Sequence, residues 1–97
     1  MSAVLEGGRL TLEGDINSST VATLLDQVLE HVRNGAECVD FAAVSDVDSA
    51  AVSLALHCVR EAKAANRALR FANLPPTFVN LARLYNVSDL FADASSL

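Results

Sequence analysis

Hydrophobic and polar positions alternate with two different periods along this chain, and the changes of period mark out its elements. In "AVLEGGRLTLEGD", Leu10 and Leu12 alternate with Arg9, Thr11 and Glu13, the period of a strand with one wet face. Gly7-Gly8 lies between two short apolar runs and signals a two-residue hairpin, while Gly14-Asp15 breaks the second strand. In "NSSTVATLLDQVLEHVRNG" the period lengthens. Val21, Leu24, Leu25, Val28, Leu29 and Val32 recur at i, i+3, i+4, i+7, i+8 and i+11, the single apolar stripe of an amphipathic helix. Asn17, Ser18, Ser19 and Thr20 are its cap candidates, and Asn34-Gly35 its stop.

The second half repeats the exchange of strand and helix. "ECVDFA" predicts a short central strand ending near Ala42, and "SAAVSLALHCVREAKAAN" predicts a helix starting near Ser49 or Ala50. The first turns of that helix are small and apolar almost all round, so it is either deeply buried or has one side that meets another protein. "ALRFANL" predicts a further strand, residues 73 to 76 a turn, and "PTFVNLARLYN" a last helix with Pro76 in its first turn. Phe78, Leu81, Ala82 and Tyr85 form the inner face expected of that helix, and Leu90 and Phe91 of the tail are placed to pack down. The order is β-β-α-β-α-β-α. Strands separated by helices imply right-handed parallel crossovers, and the opening hairpin adds one strand of opposite sense. The expected fold is therefore α/β, a small mixed sheet of about four strands with helices packed against it. It forms one domain over residues 1–97, without repeat or linker.

Composition narrows the function. Ninety-seven residues allow one hydrophobic core, and with aromatics at 5% that core is expected to rest on Ala, Val and Leu. So short a chain with so few large side chains is a poor lipid carrier, which needs a cavity of roughly several hundred Å³. A net charge of −5 argues against nucleic acid. Arg60, Lys63, Arg67 and Arg70 cluster in one short stretch, either a solvated helix end or a contact for an acidic partner or membrane surface. Cys38 and Cys58 lie in apolar surroundings without metal-ligand spacing, as buried free thiols of a reducing compartment do. The N-terminus reads as no signal peptide, and no run is long and apolar enough to span a membrane.

Catalytic chemistry is hard to assemble. His31 and His57 are isolated on helices, and neither a nucleophile elbow nor a glycine-rich phosphate loop occurs. No cofactor or metal is called for, and the chain reads as non-enzymatic. What remains is "SDVDSAA", between a strand and a helix. Asp46, Asp48 and Ser49 can each bond orphan amides there. A serine at that helix start also sits in the positive end of the helix dipole, where a phosphate is stabilised and where its charge would repel a partner.

The pattern "V-D-F-x-x-V-x-x-V-D-S", followed by a helix of small residues, resembles the STAS domain family, which includes anti-sigma-factor antagonists and the cytoplasmic tails of sulphate transporters. The resemblance implies a small mixed sheet with packed helices. In the antagonist branch the Ser or Thr after that Asp is the phosphorylation site, a position that falls on Ser49 here. Antagonists continue with glycine, whereas this chain has Ala50 and Ala51. "GGRLTLEGDI", "VDSAAVSLALHCVREAK" and above all "FVNLARLYNVSDLF" are more similar to the STAS subunits of Mla phospholipid-trafficking ABC transporters. That likeness implies a cytoplasmic subunit, peripheral to the inner membrane through its complex, that binds the ATPase subunit and through it the permease and substrate-binding subunits. It would support the assembly and activity of a complex that maintains outer-membrane lipid asymmetry. The implied partner-binding residues are Asp48, Ser49, Val52, Ser53 and Leu56. The alternative is an anti-sigma-factor antagonist switched by phosphorylation of Ser49.

Overall fold

In a computed structural model describing residues 1–91, the chain runs β1 (Ser2–Glu6), β2 (Arg9–Ile16), α1 (Ser18–Arg33), β3 (Cys38–Val47), α2 (Ser49–Ala64), β4 (Arg70–Ala72) and α3 (Pro76–Leu84), closed by a 3-10 turn at Ser88–Phe91. Residues 92–97 of the expected domain lie outside the described residues. The sheet order is β1-β2-β3-β4, with β1 antiparallel to β2 and the other two pairings parallel. The α/β order read from the periods is the order observed. Gly7 and Gly8 both have positive φ, at 57° and 82°, which lets two residues join β1 to β2 without splaying the pair.

Side-chain alternation puts the helices on one face. Leu10 and Leu12 of β2, Val39 and Phe41 of β3 and Phe71 of β4 are buried in one core with Val28 and Val32 of α1, Val52 and Leu54 of α2 and Phe78 of α3. The intervening Arg9, Thr11 and Glu13 look away from it. Aromatics matter more here than their number implied. Phe41–Phe78, Phe71–Phe91 and Phe78–Phe91 meet edge-to-face at 5.1–5.2 Å, so all four phenylalanines belong to one cluster in which each pair adds about 0.5–1.5 kcal/mol beyond its burial.

Four expectations need correcting. β3 does not stop near Ala42 but continues to Val47, because Val44 and Val47 pair with Gly14 and Ile16 of β2 across two irregularities in the register. Its polar residues reflect a wet strand rather than a loop. β4 is only three residues long, since Asn73 takes a left-handed φ of 58° and turns the chain off the sheet. Tyr85 is half exposed rather than inward, because α3 ends at Leu84 and Tyr85 is its cap. Of the tail pair, Phe91 is buried and Leu90 is not.

The broad apolar surface of α2 is explained by depth. Ala51, Val52, Leu54, Ala55, Cys58 and Ala62 are all buried, and the helix packs against both α1 and α3. Both cysteines are buried and unpaired. Burial, with the Glu61 charge adding to it, pushes the Cys58 thiol up to about 12. The basic stretch divides. Arg60, Lys63 and Arg70 are exposed, but the Arg67 guanidinium donates to the carbonyls of Ala36 (2.9 Å) and Val32. It thereby closes the C-terminal end of α1, where carbonyls lack helical partners.

Candidate functional site

Parallel neighbours β2 and β3 each pass into a helix through a single residue, so the starts of α1 and α2 stand side by side at one end of the molecule. Ile16 is in register with Val47, and the segments "DINS" (residues 15–18) and "DVDS" (residues 46–49) occupy equivalent positions. This local correspondence was present in the sequence. It goes unnoticed in a search for long repeats, because only the parallel register makes it meaningful.

At the second junction Asp48 is the N-cap, with extended backbone. Its Oδ1 accepts from the Ala50 amide at 2.8 Å and its own amide donates to the Ile16 carbonyl at 3.2 Å. Ser49 follows as the first helical residue, exposed, its hydroxyl without a hydrogen bond among the described residues. Ser53, one turn on, is exposed, and Leu56 is half-buried against the core. These residues lie three or four apart, on neighbouring positions of one helix surface. Val52 differs from the other expected contacts. It is 2% exposed and lies beneath that surface, facing the sheet.

The surroundings of Ser49 are acidic. Asp15, Ile16, Asn17, Asp46, Val47 and Asp48 line an open recess of about 200 Å³ containing three carboxylates and no cation. Asp46 does not form a turn. It is the penultimate residue of β3, and its Oδ1 accepts from the Val47 amide at 3.0 Å. From the first junction Asp15, Ile16 and the cap residue Asn17 line the same recess.

A second polar constellation, also unforeseen, lies further along β3. Asp40 is 8% exposed and fully engaged. Its Oδ2 meets the Arg9 guanidinium at 2.7 Å, and its Oδ1 accepts from the Asn73 amide and the Ala42 backbone N–H, both at 2.9 Å. Burial alone would push its carboxyl up. The Asn73 and Ala42 bonds, then the Arg9 bond and charge, outweigh that and hold it below the ordinary value. The arrangement ties β2, β3 and the turn after β4 together. It is a structural clasp, and the aspartate of "VDF" was its only trace in the sequence.

Comparison with known proteins concerns the chain as a whole. The family described as "Mlab, STAS domain" matches residues 2–92. The chain is 29% identical over 87 residues to "Intermembrane phospholipid transport system binding protein MlaB" of Escherichia coli (strain K12), covering 90% of this chain and 89% of that protein. The protein of the same name from Shigella flexneri matches to the same extent. Among solved structures, the anti-sigma factor antagonist SpoIIAA in its unphosphorylated form superposes with a TM-score of 0.71 at 20% identity, over 97% of this chain and 87% of that one. The phosphorylated Bacillus SpoIIAA gives 0.67 at 20% identity, over 97% and 90%. These two likenesses concern the fold alone.

Proposed function

We infer the role of this chain from one premise: it belongs to the STAS domain family described as Mlab. We propose that it is a non-enzymatic subunit of a phospholipid-trafficking ABC transporter. It binds the ATPase subunit through the start of α2, supports that subunit's assembly and activity, and so serves outer-membrane lipid asymmetry. The observation that carries this reading is the likeness along 90% of the chain to proteins named as binding proteins of an intermembrane phospholipid transport system. The fold supplies a suitable surface. Asp48, Ser49, Ser53 and Leu56 form the contact, and Val52 holds it from beneath. Among the described residues no helix is long and apolar enough to cross a membrane. In this reading the chain reaches the inner membrane, and the permease and substrate-binding subunits, through the ATPase on the cytoplasmic side.

Titration of the purified ATPase subunit with the native protein and with Ser49→Glu and Ser53→Arg tests this. Both substitutions are expected to weaken association at least tenfold, since each puts a long side chain into a contact lined by small ones. Unchanged binding by both would place the docking surface elsewhere.

One observation favours a second reading. An exposed serine hydroxyl at a helix N-terminus is also where a phosphate is well held. Against a switch stand Asp46 and Asp48 beside it, which a phosphate's charge of about −2 would meet, and alanines at positions 50 and 51. Intact-mass measurement on protein from its own cells decides. A stoichiometric phosphate on Ser49 would replace docking by phosphorylation control.

A further inference from the structure

β3 is ten residues long, yet β4 pairs only with Cys38, Val39 and Asp40. Beyond Asp40, no strand lies on that side of β3 among the described residues. The donors at either end of this free stretch are already answered from within the strand, Ala42 by the Asp40 carboxylate and Val47 by that of Asp46. Residues 43–46 lie between them, with Ala43, Ser45 and Asp46 exposed and Val44 half-buried. Alongside runs an open trough of about 440 Å³ between Phe41, Ala42 and Val44 on the strand and residues 73–76 opposite. Pro75 and Pro76 in the far wall have no amide to donate, so that wall cannot supply the missing ladder.

We propose that this free side of β3 takes up a short extended segment of the ATPase subunit, which pairs with residues 43–46 as an added strand and carries a lysine or arginine that meets Asp46 and Asp48. The proposal rests on the docking role inferred above and specifies the chemistry of the partner. Small side chains at Ala42 and Ala43 let another backbone approach, and main-chain pairing along a sheet edge is an established mode of peptide capture. Charge chooses the occupant. The strand runs into a recess with three carboxylates and no cation, and the chain as a whole carries −5. A second copy would bring acid against acid, whereas a basic segment is complementary.

Amide hydrogen exchange of the full chain, alone and saturated with the purified ATPase subunit, reads the pairing directly. Residues 43–46 are expected to slow at least tenfold in the complex. Asp46→Asn keeps an acceptor for the Val47 amide and removes only the charge, so it is expected to weaken binding severalfold and to flatten its salt dependence. Asp46→Lys should weaken binding at least tenfold. If the start of α2 is protected while residues 43–46 exchange as in the free chain, the added strand is wrong and the docking role stands. If no complex forms, both fall. If residues 43–46 are protected in the isolated chain in step with self-association, the occupant is a second copy and this assignment is overturned.

Discussion

The two strand-to-helix junctions have nearly the same residues and differ in how their polar groups are used. At the first, Asn17 accepts from the amides of Ser19 (3.0 Å) and Thr20 (3.1 Å), and the Thr20 hydroxyl accepts from the Asn17 amide at 2.9 Å. This reciprocal box answers several orphan donors at once. At the second, Asp48 answers only the Ala50 amide, and Ala51, in the place of Thr20, has no hydroxyl to return a bond. The first junction is closed on itself. The second has more acceptor capacity than its own helix uses, and it is backed instead by Ala51, Val52, Leu54 and Ala55, all buried. Burial holds both helices, but α1 adds a reciprocal cap to its buried Val28 and Val32, whereas α2 depends on burial more heavily. That division leaves the outer groups of the second junction available to a partner without cost to the fold.

The largest effect should come from breaking α2 from beneath. Leu54 is 1% exposed, and Leu54→Ala is expected to cost about 2–5 kcal/mol in urea unfolding. A loss no greater than that of a cap would mean that something other than burial holds α2. Asp40 offers the next largest, because it is the closed carboxylate of the strand that ends in the open one. Its folded pKa lies below the ordinary 3.8. Its contribution is therefore fully present above that value and is lost as pH falls through the lower, folded one. Asp40→Asn, which sets an amide donor against Arg9, is expected to cost about 2 kcal/mol at neutral pH. The gap to the native protein should close as unfolding is measured at progressively more acid pH. A gap constant with pH would show that the clasp does not depend on the charge.

The fold was largely legible in the sequence, and the reasons are local. Leu10 and Leu12, the stripe from Val21 to Val32 and Gly7-Gly8 each report their own element through period or turn chemistry. What escaped depends on pairings between distant segments. "AVSDV" looks like a loop when only polarity is counted, and becomes strand because Gly14 and Ile16 lie beside Val44 and Val47. The sense of "DINS" and "DVDS" appears only once β2 and β3 are known to be parallel neighbours. Of the residues expected to meet a partner, the exposure of Asp48, Ser49 and Ser53 was legible from their polarity beside an otherwise apolar helix. The burial of Val52 was not legible, because the helix is apolar nearly all round and periodicity could not say which side faces inward.

A smaller effect separates the two caps. Asn17→Ala removes both accepted bonds of the box and is expected to cost about 1 kcal/mol or somewhat more, and Asp48→Ala, losing one, less than that. Thermal unfolding orders the two. Affinity for the ATPase subunit should order them the other way, with Asn17→Ala close to native and Asp48→Ala weakened. Equal losses in both measurements would erase the distinction between a closed and an open junction.

The smallest expected change in stability is the most exposed test of the idea. Ser49→Glu adds a negative charge to the first turn of α2, where the helix dipole favours it by about 0.3–1 kcal/mol, while Asp46 and Asp48 across the recess oppose it. The two effects nearly cancel, so unfolding should shift by no more than about 0.5 kcal/mol, as for an ordinary surface substitution. Association should nevertheless fall at least tenfold, because the longer side chain would then sit in a contact lined by small ones. Stability and binding would thus respond in opposite proportion to Leu54→Ala, which damages the fold and leaves the outer surface chemically unchanged. A Ser49→Glu variant that unfolds easily would show that the serine belongs to the frame of the helix, and that α2 begins as α1 does, by satisfying itself.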